Sequence, residues 1–188
     1  MIRHLSAGSA FLILLMVFSL NRISADEQPK SSAADVSVQM QSWEELQDWV
    51  ASQKGKVVVV DVWSTFCLPC VREFPHFVEF YENHKDHVAC ASLNIDFYGG
   101  KGQQPEDNRE KVLKFLKSRN ATMHNIIAIN PDEVVLQQIK TAAIPAAIIY
   151  DRQGKLHKVF NNDEDLYGPK GFNYEQHITP LVEKLLKE

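Results

Sequence analysis

The chain has 188 residues, of which 45% are hydrophobic and 23% charged, and its formal net charge is −4. The length suits one domain with a short appendage, and the composition is that of a globular protein that can bury a core. A charge this small and acidic in sign excludes the strongly basic surface that nucleic acid binding requires, so we expect no nucleic acid partner.

Residues 1–25 have the order of features that defines a secretory signal peptide. A basic start at Arg3 precedes an apolar run over residues 10–20, and small residues lead up to Ala25. The run is about 11 residues long, whereas a membrane-spanning helix needs about 20. We therefore expect export to the periplasm or another extracytoplasmic space, with cleavage near Ala25. The alternative is an uncleaved membrane anchor over residues 5–20.

The rest of the chain divides into a polar leader and one folded domain. Residues 26–40 are predicted to be flexible, and residues 41–188 to form an α/β domain. Strands are predicted at 57–62, 88–95, 125–129, 146–150 and 155–160, and helices at 43–54, 68–85, 107–119, 132–140 and 174–187. Strands that alternate with helices predict a central mixed β-sheet with helices on both faces.

Cys67 and Cys70 form a Cys-x-x-Cys motif at the junction between a predicted strand and a predicted helix. At a helix N-terminus, free N–H groups and the helix dipole stabilise a thiolate, which favours Cys67 as the attacking thiol. Cys70 lies one helical turn further on, close enough to bond to Cys67 and resolve a mixed disulfide. The motif therefore predicts thiol–disulfide exchange, in which this cysteine pair is the redox group and no metal or other cofactor is expected.

Two further residues fit such a site. Asp61 interrupts an apolar strand six positions before Cys67, and a buried carboxylate of raised pKa could exchange a proton with Cys70. The alternative is a carboxylate at the strand end that faces solvent or bonds to a turn. Pro145 stands just before another strand, either as a simple terminator or as a cis-proline that turns the backbone of Ile144 towards the cysteines as an edge for substrate.

Other uses of the cysteines remain open. A zinc site needs four ligands, and Cys90 and His76 are the candidates to complete one, but Cys90 falls in a buried strand and reads most simply as a small apolar residue. A purely structural disulfide would close a very short loop and gain little chain entropy. A copper chaperone is possible because soft thiolates suit Cu(I). A thiol peroxidase is the last alternative, with Ser64 at the position where such enzymes carry Thr.

In order along the chain, Asp61-Val62-Trp63, the motif Cys67-Leu68-Pro69-Cys70, the segment 91–96 and Ala143-Ile144-Pro145-Ala146 resemble the thioredoxin superfamily. The exported leader and the extra segment 97–123 resemble its TlpA-like and ResA-like branch. This resemblance implies a thioredoxin-like fold and a protein-disulfide reductase working outside the cytoplasm. It also implies protein thiol or disulfide substrates and a membrane-bound electron donor as partners.

The resemblance also implies roles for single residues. Cys67 takes the attacking position, Cys70 the resolving position, Asp61 the buried acid and Pro145 the cis-proline. The residues expected to contact substrate are Trp63, Phe66, Leu68, Pro69, Ile144 and Pro145. The dipeptide Leu68-Pro69 differs from the commoner Gly-Pro and Glu-Pro, which leaves the redox direction open, and residues 161–173 have no predicted role.

Overall fold

The computed structural model describes residues 35–163 and 165–188. The predicted signal peptide or anchor, together with residues 26–34 of the predicted leader, therefore lies outside the described residues. Within the described ranges, no helix is both long enough and apolar enough to cross a bilayer.

Six strands and five α-helices follow one another along the described chain, with a 3₁₀ turn and a π turn between them. The strands are β1 (Gln39–Gln41), β2 (Val57–Trp63), β3 (Val88–Asn94), β4 (His124–Ala128), β5 (Ala146–Tyr150) and β6 (Leu156–Phe160). The helices are α1 (Trp43–Ser52), α2 (Leu68–His84), α3 (Arg109–Ser118), α4 (Asp132–Ile139) and α5 (Thr179–Leu185), with the 3₁₀ turn at Pro105–Asn108 and the π turn at Tyr174–Ile178.

The strands form one mixed sheet in the order β1-β4-β3-β2-β5-β6. Strands β1 to β4 pair in parallel, whereas β5 runs antiparallel to β2 and β6 antiparallel to β5. This confirms the predicted mixed α/β sheet. Strand β2 lies between two neighbours, so the residues that follow it emerge near the middle of the sheet edge.

Helices cover both faces of the sheet, as expected for strands that are apolar on both sides. Alternate residues of β2 point to opposite faces because the strand repeat is two. Val57, Val59 and Trp63 join the side chains of α2, α3 and α5 in one core layer. Val58, Val60 and Val62 join those of α1 and α4 in the other. Asp61 therefore faces the layer of α2, the helix that begins with the cysteine motif.

Strand β1 corrects the predicted leader, which was expected to remain flexible up to residue 40. Gln39 and the two residues after it pair with β4, and Val38 is buried just before them. The side-chain amide of Asn125 also donates to the carbonyl of Ser37 at 3.1 Å. A three-residue strand without apolar alternation cannot be recognised from the sequence. It is identified only by its pairing with β4 in the structure.

The helix predicted over 174–187 is formed in two parts, because the π turn runs directly into α5. The segment before it, residues 161–173, is fastened by Phe172, which is buried and packs against Phe160 and Tyr167 with ring centroids 5.7 and 6.1 Å away. This fastening brings the segment alongside the start of α2.

Candidate active site

Cys67 and Cys70 are joined by a disulfide, with their Cα atoms 5.2 Å apart. Cys67 is the N-cap of α2, and its Sγ accepts a hydrogen bond from the backbone N–H of Cys70 at 3.2 Å. Cys67 is half-buried, whereas only 2% of Cys70 is exposed. An incoming sulfur atom can therefore reach Cys67, and the same N–H that contacts the disulfide would stabilise a thiolate there.

The peptide bond between Ile144 and Pro145 is cis, which confirms the second of the two interpretations of this proline.

Ile144 separates two depressions of the surface. One is a cavity of about 290 Å³ that Cys67 lines, and we call it the small cavity. The other is a groove of about 830 Å³ that Pro69 and Pro145 line, and we call it the large groove. The substrate candidates Pro69, Ile144 and Pro145 thus lie together around the disulfide.

Described residues of the segment 161–173, which had no predicted role, form one wall of the large groove, among them Asp163 and residues 167–172. Asp163 fixes this wall to the loop before the cis-proline, since its Oδ2 accepts from the hydroxyl of Thr141 and from the N–H of Ala142, both at 2.8 Å. Arg72 of α2 also lines the groove. The lining of the groove therefore combines apolar prolines with charged side chains.

Asp61 is buried, which excludes the alternative in which it faces solvent, and it bonds to Tyr174 of the π turn; its role in proton transfer stays a prediction. Burial raises its pKa from 3.8 to about 7, although a hydrogen bond from the Tyr174 hydroxyl at 2.6 Å opposes the rise and the nearby carboxylate of Glu73 adds to it. Tyr174 links both acids, because its backbone N–H donates to Glu73 Oε1 at 3.0 Å. A pKa near 7 suits a group that takes up and releases protons near neutral pH.

The aromatic and apolar candidates divide into two groups. Phe66 and Leu68 are 68% and 65% exposed and flank Cys67 in sequence, so both can contact another molecule. Trp63 is fully buried and packs against Phe74 and Phe115, with ring centroids 4.9 and 4.8 Å away. The prediction that Trp63 contacts substrate is therefore corrected: its large apolar ring belongs to the core beneath the motif.

A second buried carboxylate, Asp96, holds the turn that precedes Cys67. Its oxygens accept hydrogen bonds from the hydroxyls of Ser64 and Thr65, both at 2.5 Å, and from the Thr65 N–H at 2.8 Å. The ammonium of Lys111, on α3, lies 2.9 Å from Asp96 Oδ2. Burial alone would raise the pKa of Asp96, but these donors together lower it below its ordinary value, so the group stays ionised.

Sequence reasoning missed four of these residues. Glu73 follows Cys70 by three positions on α2, so helical spacing could have placed it on the same face. Tyr174 lies 113 residues from Asp61, and Lys111 lies in the predicted helix 107–119, for which no role at the site was predicted. For these two, and for Asp96, only the packing of distant elements produces the contacts.

The remaining alternatives meet specific obstacles. The Ser64 hydroxyl, which a peroxidase would direct at the reactive sulfur, donates to Asp96 instead. Cys90 is buried, and burial together with the charge of Asp61 raises the pKa of its thiol. His76 lies on the surface beside Glu79, 3.9 Å away. In the parts of the chain that the structure covers, no three potential ligands cluster in a way that could hold a metal ion.

A disulfide at the start of a helix, a buried acid in the preceding strand and a cis-proline beside them define a thioredoxin-like protein. The structure of a thiol-disulfide isomerase from Corynebacterium glutamicum has this fold: it aligns with a TM-score of 0.58 at 18% identity, covering 82% of this chain and 97% of that one. The sequence matches the Redoxin family over residues 28–170, and the chain belongs to that family.

Two curated relatives from Bacillus subtilis (strain 168) share parts of the sequence. Sporulation thiol-disulfide oxidoreductase A is 24% identical over 115 residues, which are 61% of this chain and 64% of that protein. Thiol-disulfide oxidoreductase ResA is 26% identical over 107 residues, which are 56% of this chain and 53% of that protein. The chain thus matches just under two thirds and about half of these relatives, and the thioredoxin-like family predicted from the sequence is confirmed.

The raised pKa of Asp61 predicts that stability falls as the pH rises through a defined window. The unfolded chain releases the Asp61 proton near pH 4, whereas the folded protein keeps it until about pH 7. Asp61→Asn keeps an acceptor for Tyr174 and removes this titration. We expect the free energy of unfolding of the variant, relative to the unmodified protein, to rise between pH 4 and 7 by about 4 kcal/mol at most and to level off above pH 7.

Urea unfolding of the oxidised proteins at a series of pH values measures this difference. Asp48→Asn is the matched control, since it removes the same charge from an exposed position on α1. Stability curves of Asp61→Asn and the unmodified protein that stay parallel from pH 4 to 8 would show that Asp61 ionises normally in the folded state.

Proposed function

We propose that the protein is a thiol–disulfide oxidoreductase that reduces disulfides of protein substrates outside the cytoplasm. The observation that carries this proposal is the unequal exposure of two bonded cysteines at a helix N-terminus, one within reach of another molecule and one buried behind it. The two Bacillus relatives are both named thiol-disulfide oxidoreductases, which supports the same reaction.

The first step starts from the dithiol form. The Cys67 thiolate attacks one sulfur of the substrate disulfide, so that a bond forms between Cys67 and that sulfur while the substrate's own S–S bond breaks. The second substrate sulfur leaves as a thiolate and takes up a proton. The N–H of Cys70 and the dipole of α2 favour the thiolate form of Cys67 before the attack.

In the second step Cys70 resolves the mixed disulfide. Asp61 accepts the proton of the Cys70 thiol, and the resulting thiolate attacks Cys67 Sγ, which expels the remaining substrate sulfur. Both cysteines end as the disulfide, and the substrate leaves with two electrons and two protons. The placement of Asp61 in the same core layer as α2 and its pKa of about 7 support this role.

Substrate lies along the ridge of Ile144 and Pro145. Ile144 lines the small cavity together with Cys67, so an extended segment that pairs with its backbone, as in strand addition at a sheet edge, would bring its disulfide to Cys67. Phe66 and Leu68 would flank the substrate cysteine, and Pro69 would contact the chain that continues into the large groove. These five residues are the proposed substrate contacts.

A matched set of cysteine variants tests the reaction. We expect Cys67→Ser to reduce a disulfide-containing protein no faster than the uncatalysed reaction, because the attacking sulfur is gone. We expect Cys70→Ser to attack but not resolve, and to accumulate a mixed disulfide visible by non-reducing electrophoresis and mass spectrometry. Cys90→Ala is the control and should keep full activity, since Cys90 is buried away from solvent. Equal activity of Cys67→Ser and the unmodified protein would refute the mechanism.

The reduction potential of the Cys67–Cys70 pair tests the proposed direction. For an exported reductase supplied by a membrane-bound donor, we expect a value near or below about −250 mV after equilibration of residues 26–188 with defined thiol buffers. A value near or above about −150 mV would identify an oxidant that donates its disulfide, and the reductase proposal would then be wrong.

Export is tested separately. We propose that residues 1–25 direct the chain out of the cytoplasm, by a cleaved signal or as an anchor. Residues 1–40 fused to alkaline phosphatase, which needs disulfides to be active, should give an active enzyme. The same fusion with Leu14→Arg interrupts the apolar run and should be inactive. Equal activity of both fusions would argue against export by this segment.

A further inference from the structure

Phe66 stands on the surface beside the disulfide, next to Lys111 and Tyr98. It is 68% exposed, and the ammonium of Lys111 lies 3.9 Å from the centre of its ring. The ring of Tyr98 lies on another side, with centroids 6.3 Å apart. A large apolar side chain left in water but fixed by a cation has a defined orientation, which is what a recognition surface requires.

Lys111 is itself fixed by the turn that carries Phe66. Its ammonium pairs with Asp96, whose side chain is completely buried, while 41% of the Lys111 side chain remains exposed. The same carboxylate accepts hydrogen bonds from the hydroxyl and the N–H of Thr65, the residue directly before Phe66. The cation, the buried anion and the aromatic ring therefore form one assembly, which links α3 to the residues that present Cys67.

This assembly shapes the small cavity. Its walls are mainly apolar and come from Phe66, Ile95, Tyr98, Leu136 and Ile144, with Cys67 among the lining residues. A volume of about 290 Å³ lies at the lower end of ligand pockets and suits a single side chain better than an organic cofactor. Asp132 is the charged residue among its lining residues, so an acidic group would be repelled there.

We propose that the small cavity binds an apolar side chain adjacent to the reactive cysteine of the protein substrate, and that Lys111 is the positioning residue that holds Phe66 as its wall. This rests on the proposed function, since the occupant must bring its disulfide to Cys67. Lys111 touches neither substrate nor the reacting sulfurs. It acts through Phe66 and is thus a determinant of which disulfides the protein prefers.

Two cyclic disulfide peptides that differ at one position test the proposal. One carries Phe and the other Glu next to the attacked cysteine. For the unmodified protein we expect a higher kcat/KM with the Phe peptide, mainly through a lower KM. In Lys111→Met we expect the ratio of the two kcat/KM values to fall about fivefold, the order of effect of one lost cation–π contact. Lys111→Arg keeps the cation over the ring and should retain the ratio.

Lys114→Met is the matched control: it removes the same charge from an exposed position on α3 that makes no ion pair within the described residues, and it should leave the ratio unchanged. Phe66→Ala leaves the Asp96–Lys111 pair intact and should lower the ratio as Lys111→Met does, which covers the case that Lys111→Met is poorly folded. The ratio is insensitive to a general loss of active protein.

An unchanged ratio in both Lys111→Met and Phe66→Ala would overturn the proposal, and so would an unmodified protein that prefers the Glu peptide. Failure of the unmodified protein to reduce either peptide, with a reducing donor present, would refute the proposed function and this inference with it. A preference that disappears in Phe66→Ala but persists in Lys111→Met would remove Lys111 from the mechanism.

Discussion

Complete burial of strand β2 is the constraint on which the site depends. All seven of its residues are buried between β3 and β5, with helices packed on both faces. A strand held on four sides has one possible register, so its end delivers Cys67 to a fixed point at the start of α2. The same burial removes water from Asp61, and this is the main reason that the pKa of its carboxyl rises to about 7.

The pKa values of two buried carboxylates near the motif are shifted in opposite directions by their surroundings. Asp96 receives three hydrogen bonds and an ammonium ion, enough to keep its charge inside the protein. Asp61 receives one hydrogen bond from Tyr174 and faces a further acid, Glu73. A fully satisfied anion is suited to holding structure, whereas an under-satisfied one is suited to moving a proton. The number of donors, rather than residue type, thus separates their roles.

Local sequence patterns predicted most of the helices and strands that short segments of the chain determine. The helix predicted from residue 43 is formed, the apolar run from Val57 is a strand, and the cysteine motif begins a helix. The sequence failed where distant segments decide. Trp63 was expected to contact substrate because the family resemblance gave it an aromatic position of the site, but the packing of α2 and α3 encloses it. The contacts of Tyr174 with Asp61 and of Lys111 with Asp96 likewise depend on how the later helices pack against the sheet.

The burial of Cys90 has a consequence for the order in which the chain acquires its native bond. In an extended chain its thiol is as available to an oxidant as the other two, and three different pairings can form. Once β3 is covered, its sulfur is out of reach and its pKa is raised, so the pairing of Cys67 with Cys70 is the one left. Closure of the sheet before oxidation therefore prevents mispairing, whereas a bond to Cys90 that forms earlier must be reshuffled afterwards.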